Sequence, residues 1–202
     1  MYKNTLLATL AVAACTLAAP AVAAATTVPS LPSGIDQAYI ADGDGNPESG
    51  TMTLTGQVQR STGGVTITCN HHAEIDFDDD GTTAVTSFST SGCTSNVPTC
   101  SVSVFTTNLN WGNRFGYDPV AGTFHDYINV SASVTLSGPA CPVPGTFPSS
   151  GTLFPVIDIT SGVLTMAFSA STGTLTNSVG PETWIGTLTS SSGIGADTQL
   201  VF

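Results

Sequence analysis

The sequence predicts an all-β protein, a single antiparallel β-sandwich or small β-barrel that follows a cleaved signal peptide. From Gly50 onward, apolar and polar residues alternate in short runs rich in Thr, Val and Ser, a pattern typical of strands with one buried face. Gly, Pro, Ser or Asn separate these runs, and no window shows sustained helical periodicity. We therefore expect about eight to ten strands in one domain, residues 50–202.

Strands are expected wherever every second residue is apolar. In the first run, Met52, Leu54 and Val58 alternate with Thr and Gln, and the clearest run spans residues 127–136. Further runs occupy residues 65–68, 101–105, 153–159, 163–169, 173–178, 183–189 and 197–202.

Residues 1–23 have the pattern of a secretory signal peptide, with Lys3 before an apolar run that ends in small residues at Ala23. An alternative is a lipoprotein, because Cys15 ends a Val-Ala-Ala-Cys motif that would allow lipidation. Residues 24–49, with two prolines and an acidic stretch, are expected to form a flexible lead-in. The acidic stretch resembles half of an EF-hand loop, but Pro47 stands where that loop needs Gly.

The charge balance excludes several classes of function. The chain has 14 Asp and Glu against 3 Lys and Arg, a formal net charge of −11. Such an acidic chain repels nucleic-acid phosphates and anionic lipid surfaces. No lysine follows Lys3, so a lysine nucleophile is excluded in the domain.

The densest group of charges lies in residues 69–88. Alternation places Cys69, His71, Ala73, Ile75 and Phe77 on one face, so His71 is expected in the core. The Asp-Asp-Asp-Gly sequence ending at Gly81 predicts a hairpin turn in which glycine takes a positive φ. The opposite face suggests either a solvated acidic edge or a divalent-cation site; its candidate ligands are His72, Glu74, Asp76, Asp78 and Asp80.

Four cysteines follow the signal sequence: Cys69, Cys93, Cys100 and Cys141. An even number in an exported chain predicts two disulfides, for which three connectivities are possible. We favour Cys69–Cys93, which would close the open end of the predicted hairpin, together with Cys100–Cys141. The main competitor is Cys93–Cys100, which would close a short loop.

No catalytic motif is recognisable, and no cofactor is expected, because P-loop, dinucleotide, nucleophile-elbow and zinc-protease patterns are absent. His125 and Asp126 are adjacent at a strand start, but serine is too common here for a triad to be inferred. Trp111 and Trp184 are candidates for a sugar or lipid platform, with core packing as the alternative. The sequence therefore predicts a protein that is not an enzyme.

The order of motifs resembles a known family. Gly-Thr-Met-Thr-Leu-Thr-Gly at residue 50 precedes Val-Thr-Ile-Thr-Cys, a hairpin, and then Cys-Pro-Val-Pro-Gly at residue 141. Over roughly residues 50–155 this order is similar to small secreted bacterial proteins of the alkane-oxidation activator family of pseudomonads, from which the segment 113–127 departs as an insertion.

The resemblance implies an extracellular, non-catalytic role in which the protein acts at the cell surface or at an oil–water boundary. The expected partners are a hydrophobic surface, lipid or polysaccharide. The alternatives are an extracellular carbohydrate- or calcium-binding module, an enzyme, and an outer-membrane barrel, the last disfavoured by short Thr-rich strands and paired cysteines.

Overall fold

The computed structural model describes residues 28–106 and 111–202. These ranges contain strands and turns but no helix, so no helix there has the length and apolar character needed to span a bilayer. The all-β prediction is confirmed. The strands are β1 (Asp36–Gln37), β2 (Tyr39–Ala41), β3 (Gly50–Thr62), β4 (Val65–Phe77), β5 (Thr82–Ser95), β6 (Ser101–Thr106), β7 (Trp111–Asp118), β8 (Thr123–Ser137), β9 (Gly145–Leu153), β10 (Val156–Thr160), β11 (Val163–Phe168), β12 (Leu175–Asn177), β13 (Gly180–Ser192) and β14 (Gln199–Val201).

The main sheet closes on itself. Successive antiparallel pairings run β7-β5-β4-β3-β13-β11-β10-β8, and β8 pairs again with β7. The result is a barrel-like ring of eight strands whose inner face holds the larger apolar core, which includes Leu54, Ile75, Ile128 and Met166.

Two long strands exchange partners along their length. β8 pairs with β7 and β10 near its start, and with β6 and β9 further along. β13 pairs with β12 near its start and with β11 further along. The exchange builds a second tier with its own smaller core, around Val65, Ile67, Val134 and Phe147.

For residues 28–49, the described part of the expected flexible lead-in 24–49, the structure corrects the prediction. β1 pairs with β7, and β2 pairs with β14 in a separate two-stranded sheet. Ala38 and Ile40 are completely buried in the larger core. The acidic loop that follows is also ordered, because the Asp42 carboxylate accepts hydrogen bonds from the backbone N–H groups of Asp44 and Asn46. The proposed signal residues 1–23, with Cys15, lie outside the described residues.

The hairpin turn between β4 and β5 forms as predicted. Gly81 has a φ of 75°, and a Cβ atom there would lie 2.0 Å from the carbonyl oxygen of Ala38. Glycine is therefore required both for the backbone conformation and for the close approach of the β1–β2 segment.

Both favoured disulfides are present. Cys69 bonds to Cys93, and Cys100 bonds to Cys141, across sequence separations of 24 and 41 residues. All four cysteines belong to or pack against the second-tier core. Each bridge limits the freedom of the unfolded chain, and two such bridges are typical of an oxidising environment.

Removal of the longer bridge is expected to destabilise the fold. The double variant Cys100→Ser/Cys141→Ser should lose about 2–4 kcal/mol of unfolding free energy, because the unfolded chain regains the freedom of the closed loop. Urea unfolding of the double variant and the wild type gives this difference. A loss below about 0.5 kcal/mol would show that the bridge does not constrain the unfolded chain.

Candidate functional site

The predicted cation ligands lie on the outer wall and in the turn of the β4–β5 hairpin. Alternation along β4 is observed as expected, with His71 and Ile75 buried and His72 and Asp76 exposed. Asp76 accepts a hydrogen bond of 2.6 Å from Thr51, and Asp80 accepts one of the same length from Thr82. Among residues 28–106 and 111–202, no three His, Cys, Asp or Glu side chains are grouped so as to hold a metal ion.

Neither tryptophan presents a platform to solvent. Trp111 and Trp184 are 5% and 3% exposed, and both line the larger core. The indole N–H of Trp111 donates to the carbonyl oxygen of Ser131, and that of Trp184 donates to Glu182. Core packing is therefore the observed role of both side chains.

His125 and Asp126 point to opposite faces of β8. The His125 ring lies outside, with Nδ1 3.0 Å from the carbonyl oxygen of Phe154 and Nε2 2.9 Å from the hydroxyl of Thr123. Asp126 is completely buried inside the ring. The two side chains adjacent in sequence therefore do not form one site.

A buried ion pair joins β3 to β13. Arg60 and Glu182 are 1% and 0% exposed, and Nη2 of Arg60 lies 2.6 Å from Oε1 of Glu182. The same carboxylate oxygen accepts hydrogen bonds from Nε of Arg60 and from Trp184, while Oε2 accepts one from Ser149. The Arg60 guanidinium also lies 4.9 Å from the centre of the Trp184 ring, within cation–π range.

His71 occupies the core beside this pair. Its ring lies 5.2 Å from the Phe88 ring and 5.8 Å from the Trp184 ring, and neither nitrogen has a hydrogen-bond partner among the described residues. Burial and the positive charge of Arg60 lower its pKa to about 4. His71 is consequently an uncharged core residue at neutral pH.

Asp126 forms a second buried polar cluster, with Asn113 of β7 and Thr83 of β5. Nδ2 of Asn113 donates to Oδ2 of Asp126 at 2.9 Å. Thr83 lies beside the carboxyl group, but its hydroxyl makes no well-aligned hydrogen bond in the described part of the chain. Burial raises the pKa of Asp126 to about 7, although the neighbouring donors act in the opposite direction.

Both clusters place a carboxylate, Glu182 or Asp126, completely inside the ring. The alternation of apolar and polar residues in the sequence did indicate that the charged residues of both clusters lie on inner faces. Arg60 follows Val58 on the inner face of β3, Glu182 precedes Trp184 on the inner face of β13, and Asp126 precedes Ile128 on that of β8. A charged residue on an otherwise apolar face marks each one as a candidate for burial but does not reveal its partner.

The interior offers little space for a ligand. A cavity of about 20 Å³ lies between the walls, lined by apolar side chains that include Val85, Trp111, Met166 and Trp184. This volume is close to that of one water molecule, and its lining has no polar surface. The interior is therefore a packed core, and any binding surface lies outside it.

The most exposed apolar surface is the turn between β7 and β8, residues 118–122, which we call the tip. Val120 is 95% exposed, and its neighbours Pro119 and Ala121 are exposed too. The Asp118 carboxylate fixes the turn by accepting hydrogen bonds from the backbone N–H groups of Val120 and Ala121, at 2.8 and 3.1 Å.

An aromatic cluster supports the tip. Tyr117 stacks on Phe202 with ring centres 3.9 Å apart, and Phe124 lies 4.8 Å from Tyr117. Phe202 is itself 64% exposed. Tyr117 and Phe124 flank the tip in the sequence and pack against the larger core, so the tip extends from a pair of rings that are anchored in the core.

Comparisons with protein-family models, with curated proteins and with solved structures find no match to this chain.

Proposed function

We propose that the protein is a secreted or cell-surface β protein without catalytic activity that attaches to an apolar surface through its tip. The observation that carries this proposal is the exposure of Val120 on a turn held by Asp118 and backed by stacked aromatic rings. The signal-like residues 1–23 and the two disulfides support export.

The tip has the properties of a preformed contact. A valine so fully exposed adds nothing to the core. Together with Pro119, Ala121 and Phe202, it gives this end of the molecule several exposed apolar residues, and grouped apolar surface of this kind is what marks interaction sites in soluble proteins. The hydrogen bonds from Asp118 hold the turn in one conformation before contact. A preorganised contact loses less conformational entropy on binding than a flexible loop.

The surrounding charge indicates which apolar surface is suitable. Asp118 lies in the tip itself, and the neighbouring β4–β5 turn carries Asp78, Asp79 and Asp80, all exposed. A negatively charged lipid surface would repel this end of the molecule. An uncharged hydrocarbon surface would not, and it would bury Val120 and the edge of Phe202.

A charge placed on the tip is expected to abolish attachment. Val120→Asp should reduce adsorption to emulsified hexadecane at least tenfold, because burial of a valine contributes about 1.5 kcal/mol and an aspartate opposes burial. Ile185→Asp is the matched control, since Ile185 is 44% exposed on the wall of β13 and gains the same charge. Adsorption is measured as protein depleted from the aqueous phase.

Equal losses in the two variants would show that attachment does not occur through the tip. If the wild type adsorbs no more than an unrelated protein of like size and net charge, attachment to an apolar surface is itself refuted.

A further inference from the structure

Inside the ring, a side-chain hydrogen bond from Asn113 of β7 to Asp126 of β8 joins the two strands that carry the tip. β7 and β8 pair antiparallel, with Phe115 opposite Asp126 and Asn113 opposite Ile128. Asn113 also lies opposite Thr83 of β5. The hydrogen bond therefore links the two strands of the hairpin formed by β7, the tip and β8, which we call the tip hairpin. It lies next to β5, the other neighbour of β7 in the ring.

The hydrogen bonds of this cluster are incomplete if Asp126 is ionised. Oδ1 of Asp126, Oδ1 of Asn113 and the hydroxyl of Thr83 are all buried and have no partner within the described ranges. Thr83 can donate one hydrogen bond, so one of the two acceptor oxygens would remain unpaired. An unpaired buried acceptor costs about 1–3 kcal/mol, and more when it is charged.

A positive charge does not supply the missing partner. Arg114 lies between Asn113 and Phe115 but on the outer face of β7, where its charge acts on Asp80. On β8 the flanking His125 and Tyr127 also face outward, and Asp158 of β10 is exposed. Tyr117 of β7 also packs against the larger core, and its phenol provides no cation.

A single proton completes the cluster. A neutral carboxyl group gains one donor, which can pair with Oδ1 of Asn113 while Nδ2 of Asn113 donates to Oδ2 of Asp126, and Thr83 then has a free acceptor within reach. We propose that Asp126 carries a proton that it donates to Asn113, so that a neutral carboxyl group latches the tip hairpin and loss of this proton loosens it.

The effect of the latch on attachment rests on the proposed function, whereas the latch itself does not. In the closed ring the proton is retained because burial raises the pKa of Asp126 to about 7. Once the hairpin opens, the carboxyl group is hydrated and releases its proton at a much lower pH. Opening of the hairpin should therefore become easier as the pH rises toward neutrality.

Hydrogen exchange measures this opening directly. Corrected for intrinsic rates, exchange of backbone amides in residues 111–128 should indicate an opening constant that rises roughly tenfold per pH unit between pH 5 and 7. Asp126→Asn keeps both hydrogen bonds to Asn113 without a titrating proton, so its opening constant should not vary with pH. Asp158→Asn removes an exposed carboxylate and should behave as the wild type.

The carboxyl carbon of Asp126, followed by NMR, gives an independent readout of the proton. A titration midpoint near neutral pH supports the latch, and a midpoint below pH 4 overturns it by showing that water or a cation completes the cluster. A flat wild-type opening constant, or a flat one in Asp158→Asn, would also overturn it. Adsorption to hexadecane is scored separately, so that failure of attachment through the tip leaves the exchange result interpretable.

Discussion

Replacement of Glu182 by alanine is expected to cost about 3–5 kcal/mol of unfolding free energy, the usual penalty for breaking a buried ion pair from one side. The loss leaves the Arg60 guanidinium fully buried without its counter-charge. It also removes the acceptor for the Trp184 indole and for the Ser149 hydroxyl. Urea unfolding followed by tryptophan fluorescence and by circular dichroism gives the free energy.

Two further variants separate the charge from the hydrogen bonds. Glu182→Gln retains an acceptor for Trp184 and a polar partner for Ser149 but leaves the buried Arg60 without a counter-charge, so an intermediate loss is expected. Adding Arg60→Met removes the buried positive charge and should recover stability relative to Glu182→Gln. If Glu182→Ala loses less than about 1 kcal/mol, or if the double variant is no more stable than Glu182→Gln, the ion pair is not the main contribution of this cluster.

The fold could be predicted from local patterns because β alternation is a local property. In β4 every second residue from Cys69 to Phe77 is buried, as the sequence indicated, and the Asp-rich turn ends at a Gly81 with positive φ. The preferred cysteine pairing followed from the same hairpin. These features require only neighbouring residues, so no knowledge of distant contacts was needed.

The buried clusters could not be predicted because they depend on long-range pairing. Arg60 and Glu182 are 122 residues apart, and they meet only because β3 pairs with β13, which places Arg60 opposite Trp184. Each residue alone could be taken as a solvated charge at the end of a strand. Their position on apolar faces was visible, but only the opposite signs across a known strand pair would have identified them.

The β1–β2 segment was missed for a different reason. These strands have two and three residues, too few for alternation to be recognised. The tip was missed because its exposed residues Pro119, Val120 and Ala121 carry no charge and match no motif, and their significance depends on their exposure. The aromatic cluster that supports it combines residues of β7 and β8 with Phe202.

Two buried titrating groups are expected to give opposite pH dependences that nearly cancel. The pKa of Asp126 is raised from 3.8 to about 7 in the folded state, so its contribution to stability is present at low pH and is lost as the pH rises through this range. The pKa of His71 is lowered from 6.5 to about 4, so its contribution is present above pH 6.5 and is lost as the pH falls. Between pH 4 and 6.5, where the two titration ranges overlap, each group changes the unfolding free energy by about 1.4 kcal/mol per pH unit.

The unfolding free energy of the wild type should therefore change little between pH 4 and 6.5, and single variants should reveal the hidden slopes. In Asp126→Asn the free energy should rise with pH by about 3 kcal/mol across this window, because only the His71 contribution remains. In His71→Leu it should fall by a similar amount. His72→Leu, which removes the neighbouring imidazole from the exposed face, should follow the wild type.

Urea unfolding of these four proteins at half-unit pH intervals gives the pH dependence of each unfolding free energy. Parallel curves for the wild type and both core variants would show that neither buried group titrates across the fold. A slope in Asp126→Asn alone would assign the perturbed pKa to His71, and a slope in His71→Leu alone would assign it to Asp126. Opposite slopes would show that the ring holds a neutral carboxylic acid, Asp126, and a neutral imidazole, His71, at the same time. Neither group then has a counter-charge, although the same apolar interior buries Arg60 together with Glu182.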